Sequence, residues 1–101
     1  MHDCSVSQGD SWLATWVPKI LNSPQYAAGN TAVFITFDED DSSNNNHIAT
    51  IVLSPSTPAG MVDNGSYNHY SMLRTTEEML GLPVTLGGAV GAMSMRPAFH
   101  L

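Results

Sequence analysis

Apolar residues along this chain fall into stretches whose spacing separates helix from strand. Trp12, Leu13, Trp16, Val17, Ile20 and Leu21 recur at intervals of three and four, the period of a helix with one apolar face. Pro18 interrupts this run and suits the first turn of a helix better than an interior. The spacing therefore predicts a helix over residues 9–16, a turn, and a second short helix to about residue 22. Residues 22–30 (NSPQYAAGN) read as a connector. Residues 31–37 (TAVFITF) are β-branched and aromatic without alternation, the pattern of a strand covered on both faces. Residues 47–54 (HIATIVLS) read the same way. The link between them spans only residues 38–46, and a parallel crossover usually needs a dozen residues or more, so an antiparallel pair is expected.

A Pro/Gly/Asn-rich loop follows over residues 55–66. Asn68 then stands as an N-cap before Met72, Leu73, Thr76, Met79 and Leu80, an apolar stripe at helical spacing. Gly81 occupies the position of a C-terminal cap, with Pro83 beyond it. Arg74 and Glu78 form an i,i+4 pair, worth about 0.2–0.5 kcal/mol on an exposed helix. After Leu82 the chain is Gly- and Ala-rich without a period and reads as irregular.

At 101 residues this is one small domain with a thin margin for a core. Strands as apolar as these need neighbours and cover, and a two-stranded sheet is not stable alone in water. The expected architecture is accordingly α/β, with residues 1–101 a single partial domain, the C-terminal piece of a larger sheet, and Met1 an internal methionine. The net charge of -6 argues against nucleic acid or an anionic membrane as partner, since both require a basic face. No apolar stretch approaches a membrane span, and the first ten residues lack the basic and apolar regions of a signal peptide. Cys4 is the lone cysteine, which excludes an internal disulfide and a cysteine metal cluster.

Candidate chemistry concentrates where the first strand ends, on Asp38, Glu39, Asp40 and Asp41. Ligands of open α/β sheets bind outside the carboxyl ends of strands. Asp38 and Glu39 there are a candidate divalent-cation site: oxygen donors suit Mg²⁺, Ca²⁺ or Mn²⁺, and an added histidine favours Zn²⁺. The competing reading is a solvated loop tip, to which Asp40, Asp41 and the SSNNN run belong in either case. His69 lies in the first turn of a helix, where the macrodipole favours the neutral, ligating imidazole; the competing reading is a helix-start histidine hydrogen-bonded to a nearby loop. His2, next to Asp3, is a candidate ligand or supporting pair. His47 starts a strand and reads as structural; His100 has no evident role. Neither a phosphate-binding glycine loop nor a G-x-S-x-G elbow is present. Candidate metal ligands thus occur without a nucleophile.

The blocks HDCSVSQGDSWLATWVPKILNSPQY, TAVFITFDEDD, HIATIVLSPSTPAG and NHYSMLRTTEEMLGLP, in this order, resemble the C-terminal portion of the bacterial phosphoesterase family. That family contains phospholipase C and acid phosphatase members and belongs to the alkaline phosphatase superfamily. The resemblance covers residues 1–83. It implies part of an α/β sandwich with a mostly parallel sheet, here two core strands flanked by helices. It also implies metal-assisted hydrolysis of phosphate mono- or diesters. By this resemblance Asp38 and Glu39 hold the metal, and His69 ligates metal or contacts phosphate. His2 acts near the leaving group or a second cation, and Asp3 is a weaker match. The family's Glu-Asn motif and hydroxyl nucleophile are not in this sequence. They are expected in an N-terminal half that completes the site, so the chain alone is expected to be inactive. The run DDSSNNN stands where phospholipase-type members carry His and glycines, which favours the phosphatase-like branch or an uncharacterised one and leaves the substrate open. The resemblance further implies an extracellular or cell-envelope protein, with Cys4 paired to an upstream cysteine. The alternatives are a non-catalytic divalent-cation-binding module using Asp38 to Asp41, or an inert truncated product.

Overall fold

The computed structural model of the chain describes residues 3–101. Helix α1 spans Val6–Leu21 without a break. Its start is fixed by a capping box: the Gln8 amide donates to Ser5 Oγ (3.2 Å) and the Ser5 amide to Gln8 Oε1 (2.9 Å). The turn expected at Pro18 does not form. Pro18 falls in the last part of the helix, where its missing N–H removes a single bond, and its fixed φ is itself helical. The helix closes beyond it, with the Asn22 amide donating to Pro18 O (3.0 Å). Lys19 Nζ lies 4.2 Å from the centre of the Trp16 ring, and Trp16 stands 6.2 Å from Trp12. A one-turn helix α2, Pro24–Ala27, occupies the expected connector, capped by Ser23 with Pro24 in its first turn.

Strands β1 (Val33–Thr36) and β2 (Thr50–Leu53) pair antiparallel, as the short link requires, with Val33 opposite Leu53 and Thr36 opposite Thr50. Both are shorter than their apolar runs. The ladder stops at the Thr36–Thr50 pair, whose hydroxyls are hydrogen-bonded at 2.8 Å, because the chain turns there into the acidic loop. Cover on both faces is not observed: Ile51 is 53% exposed, and Phe37, just past β1, is 47% exposed. Among the described residues the fold is a mixture of helices with one two-stranded antiparallel sheet. The mostly parallel sheet of the resemblance is not formed by them.

Helix α3 spans His69–Met79. Asn68 Oδ1 accepts from the Ser71 amide (3.0 Å) and Ser71 Oγ from the Asn68 amide (3.2 Å). At the other end Gly81 takes φ +66°. Its amide bonds Glu78 O (3.2 Å) and that of Leu82 bonds Glu77 O (2.8 Å), a paired C-terminal closure. The expected apolar stripe is not the buried face, since Leu80 remains 67% exposed. Ser71, Thr75 and Glu77 are buried instead, and the chain after Leu82 bonds Thr75 and Glu77. That chain is not irregular: it forms a 3-10 helix, Gly87–Gly91, and a short helix α4, Arg96–Phe99.

Hydrogen bonds explain why a polar face is inside. Thr75 Oγ1 donates to Ser71 O (2.7 Å) and accepts from the Met95 amide (2.8 Å). Glu77 Oε1 accepts from the amides of Thr85 and Leu86, each at 3.3 Å. The Arg74–Glu78 pair forms at 2.8 Å. It extends further, with Ser94 Oγ donating to Glu78 Oε2 (2.6 Å) and Arg74 Nη1 to Ala92 O (2.7 Å). Ala89 and Met95 supply the buried apolar residues at this interface.

Candidate functional site

The acidic loop divides its carboxylates between two tasks. Asp40 accepts from the backbone amides of Ser42 (2.9 Å), Asn44 (2.9 Å) and Asn46 (3.0 Å). Asn46 Oδ1 accepts from the Asp40 amide in return (3.1 Å). The chain wraps around this carboxylate with Ser42, Asn45 and Asn46 at positive φ, a conformation asparagine tolerates better than most residues. The amides of Asn44 and Ser42 hold the Asp40 carboxyl below its ordinary pKa. Asp41 accepts from the Ser43 hydroxyl and from its amide (3.1 Å), and the Ser43 hydroxyl is the main cause that lowers its pKa. Backbone amides and hydroxyls, rather than bulk water alone, make these two charges tolerable.

Asp38 and Glu39 stand at the end of the strand run. His69, the first residue of α3, is brought to the same place across 31 residues, its Nε2 lying 2.8 Å from Asp38 O. A carbonyl only accepts, so Nε2 carries the proton, and the lone pair of a neutral imidazole sits on Nδ1. The Asn68 cap sets the start of α3 and thereby the position of His69. Two adjoining depressions result. One, about 510 Å³, is lined by Asp38, Glu39, Asp40 and Asp41. The other, about 440 Å³, is lined by His69, Tyr67, Asp63 and Met72 among others. His47, Ile48 and Ala49 border both. His47 Nδ1 is 3.3 Å from Asn44 Nδ2, consistent with its structural reading.

Carboxylates and imidazole are donor types that suit a divalent cation, but Asp38 and Glu39 line one depression and His69 the other. The set is nonetheless incomplete: among the described residues no group of three His, Cys, Asp or Glu side chains converges on one point. His2 lies outside the described residues. Asp3 is exposed, and His100 takes φ +57° behind α4. The sequence reading passed over Asp63 and Tyr67, which sit in a segment read only as a loop. Asp63 Oδ1 accepts from the Gly65 amide (2.8 Å), and burial, with the Asp63 carboxylate beside it, pushes the Tyr67 phenol up from its ordinary pKa. The spacing Asp63-x-Gly65, which favours a side chain bonding the amide two residues on, was the available signal.

Residues 1–83 match the model of the phosphoesterase family. The chain is 36% identical over 85 residues to the phosphatidylinositol-3-phosphatase of Mycobacterium tuberculosis, covering 84% of this chain and 27% of that protein. It is 33% identical over 86 residues to an acid phosphatase of Aspergillus fumigatus, covering 81% of this chain and 19% of that protein. The chain thus spans between about a fifth and about a quarter of the length of these curated relatives. No solved structure matches it.

Proposed function

The chain belongs to the phosphoesterase family, and from that premise we propose that it supplies one side of the active site of a phosphoric ester hydrolase of the phosphatase type. The observation that carries this reading is the bond from His69 Nε2 to Asp38 O. It ties the helix-start histidine to the backbone of the segment that carries the strand-end acids, within the family-matched region. His69 is the residue that meets the phosphoryl group or its cation, and the positive end of α3 adds to its attraction for anions. Asp38 and Glu39 hold a divalent cation, together with donors from beyond the described residues. Such a cation offsets phosphate charge in the transition state. His2 serves near the leaving group. Both curated relatives carry phosphatase names, which supports the phosphatase branch over the phospholipase C branch. Phosphate monoesters are accordingly the proposed substrates. Among the described residues no helix is long and apolar enough to cross a membrane; export to the cell envelope or medium is part of the proposal.

The chain alone is expected to leave p-nitrophenyl phosphate intact, because a catalytic constellation acts as a unit and its nucleophile is not among these residues. A chimera tests the site: this chain replaces the matching segment of the Aspergillus acid phosphatase. The expected result is p-nitrophenyl phosphate turnover that falls by about 10²-fold or more on Asp38→Ala or His69→Ala, with the far-ultraviolet circular dichroism unchanged. A folded chimera indifferent to both substitutions would remove these residues from the site.

A further inference from the structure

Asn64 is the one asparagine of the chain that precedes a glycine. It is exposed, within residues 61–68, which belong to no helix or strand. We propose that Asn64 is a site of spontaneous covalent change: the Gly65 backbone nitrogen attacks the Asn64 carboxamide, and Asp63 sets how fast. No substrate or cation takes part, so this chemistry is independent of the phosphoester reading.

Nucleophile and electrophile sit on adjacent residues and close a five-membered ring, so they meet at a high effective concentration. The bond from the Gly65 nitrogen to Asn64 Cγ forms as that amide loses its proton. The bond from Cγ to Nδ2 breaks, and the nitrogen leaves with the proton as ammonia. Water then opens the cyclic imide at one of its two carbonyls. Opening at Cγ gives aspartate on the original backbone. Opening at the backbone carbonyl gives isoaspartate, in which the chain runs through Cβ and Cγ and is one carbon longer. Either product adds one negative charge to the -6 of the chain. Glycine suits the step because no Cβ blocks the approach and its backbone turns freely. The other asparagines precede Ser, Thr, Asn or His, whose side chains hinder the same closure.

The fold adds a brake and a consequence. The Gly65 amide donates to Asp63 Oδ1 at 2.8 Å. An amide already bonded to a carboxyl group gives up its proton less readily, and the turn holds its N–H toward residue 63 rather than residue 64. A Cβ at Gly65 would stand 2.6 Å from Asp63 Oδ1 and 2.8 Å from the Tyr67 ring, so the segment has no slack there for an added carbon. Isoaspartate at position 64 therefore displaces Asp63 or Tyr67. Both line the cleft of about 440 Å³ together with His69, Met72 and Met95.

The test follows the full chain over days in mildly alkaline heavy-oxygen water, by peptide mass mapping and by labelling with isoaspartyl methyltransferase. Asn64 is expected to be the first asparagine to become an acid, with one heavy oxygen taken up and the larger share as isoaspartate. Asn64→Gln, which would have to close a larger ring, is expected to stay unchanged. Asp63→Ala is expected to convert about tenfold faster, the worth of one hydrogen bond to a carboxyl group. In urea, where neither chain keeps that bond, the two rates are expected to coincide. The Met72 and Met95 methyl signals are expected to move in the isoaspartyl form and to stay in Asn64→Asp, which gains the charge without the carbon. An intact Asn64 in both chains, an Asp63→Ala rate no higher than the parent's, or unmoved methyls in the isoaspartyl form would overturn the inference.

Discussion

Single carboxylates in this chain are defined by what donates to them. Asp40 and Glu78 both have pKa values below their ordinary range, the first chiefly through the amides of Asn44 and Ser42, the second chiefly through the Ser94 hydroxyl and then Arg74. A carboxyl whose folded pKa is depressed contributes stability that is complete above its unfolded pKa. That contribution is lost as the pH falls through the folded value. Stability is therefore expected to be level above about pH 5 and to decline at pH below the ordinary 4.5 of Glu78. Glu78→Gln should flatten that decline and cost about 1 kcal/mol at neutral pH, read from urea unfolding at two pH values. Asp40→Ala should speed amide hydrogen exchange at Ser42, Asn44 and Asn46 while leaving the α3 amides unchanged. Slow exchange at those loop amides in the variant would show that the carboxylate does not organise the loop. The division of the acids, with Asp40 and Asp41 as loop residues, was legible in the sequence. The amides that hold them were not, because positive φ at Ser42 carries no strong signal in a serine.

At the scale of elements, ends were easier to read than interiors. Asn68 and Gly81 mark the ends of α3 because each solves a local problem, an unpaired amide at one end and a left-handed turn at the other. Gly81→Ala is expected to cost about 1 kcal/mol at φ +66°, seen as a lower thermal midpoint with unchanged helix content below it. Pro18 misled because its usual effect, a break, depends on how much helix follows it. In α1 only Lys19, Ile20 and Leu21 do. Pro18→Ala should accordingly raise the helicity of the chain, and by less than the ~3 kcal/mol of a mid-helix proline. The strand pair was legible from the length of its link. Its degree of cover was not, since an apolar run reports what a strand tolerates rather than what surrounds it. The α3 face failed for a related reason: the buried Thr75 and Glu77 are bonded to Met95, Thr85 and Leu86, more than a turn away in sequence, which periodicity cannot detect.

The whole molecule buries little. Ala89 and Met95 are the buried apolar residues described, whereas Trp12, Val62, Leu80 and Val90 are between 60% and 79% exposed. The radius of gyration, 14.7 Å, exceeds the ~13 Å of a compact domain of about 100 residues. Exposed apolar surface with two open strand edges favours association between chains. Sedimentation of the purified chain is expected to show mass rising with concentration, and a strictly monomeric profile at high concentration would contradict the exposure described. Composition had indicated a thin core; which faces stay bare depends on long-range placement and was not readable from it.

The cover that residues 84–101 provide for α3 has an evolutionary consequence. The family match stops at residue 83, yet Thr75 and Glu77 find their partners at Met95, Thr85 and Leu86. Polar identity at positions 75 and 77 is therefore tied to a tail that the shared region does not include. Relatives whose chain departs differently after the helix should carry apolar residues at those positions, because a buried hydroxyl or carboxylate without partners costs about 1–3 kcal/mol. The two stretches should be inherited, exchanged or lost together.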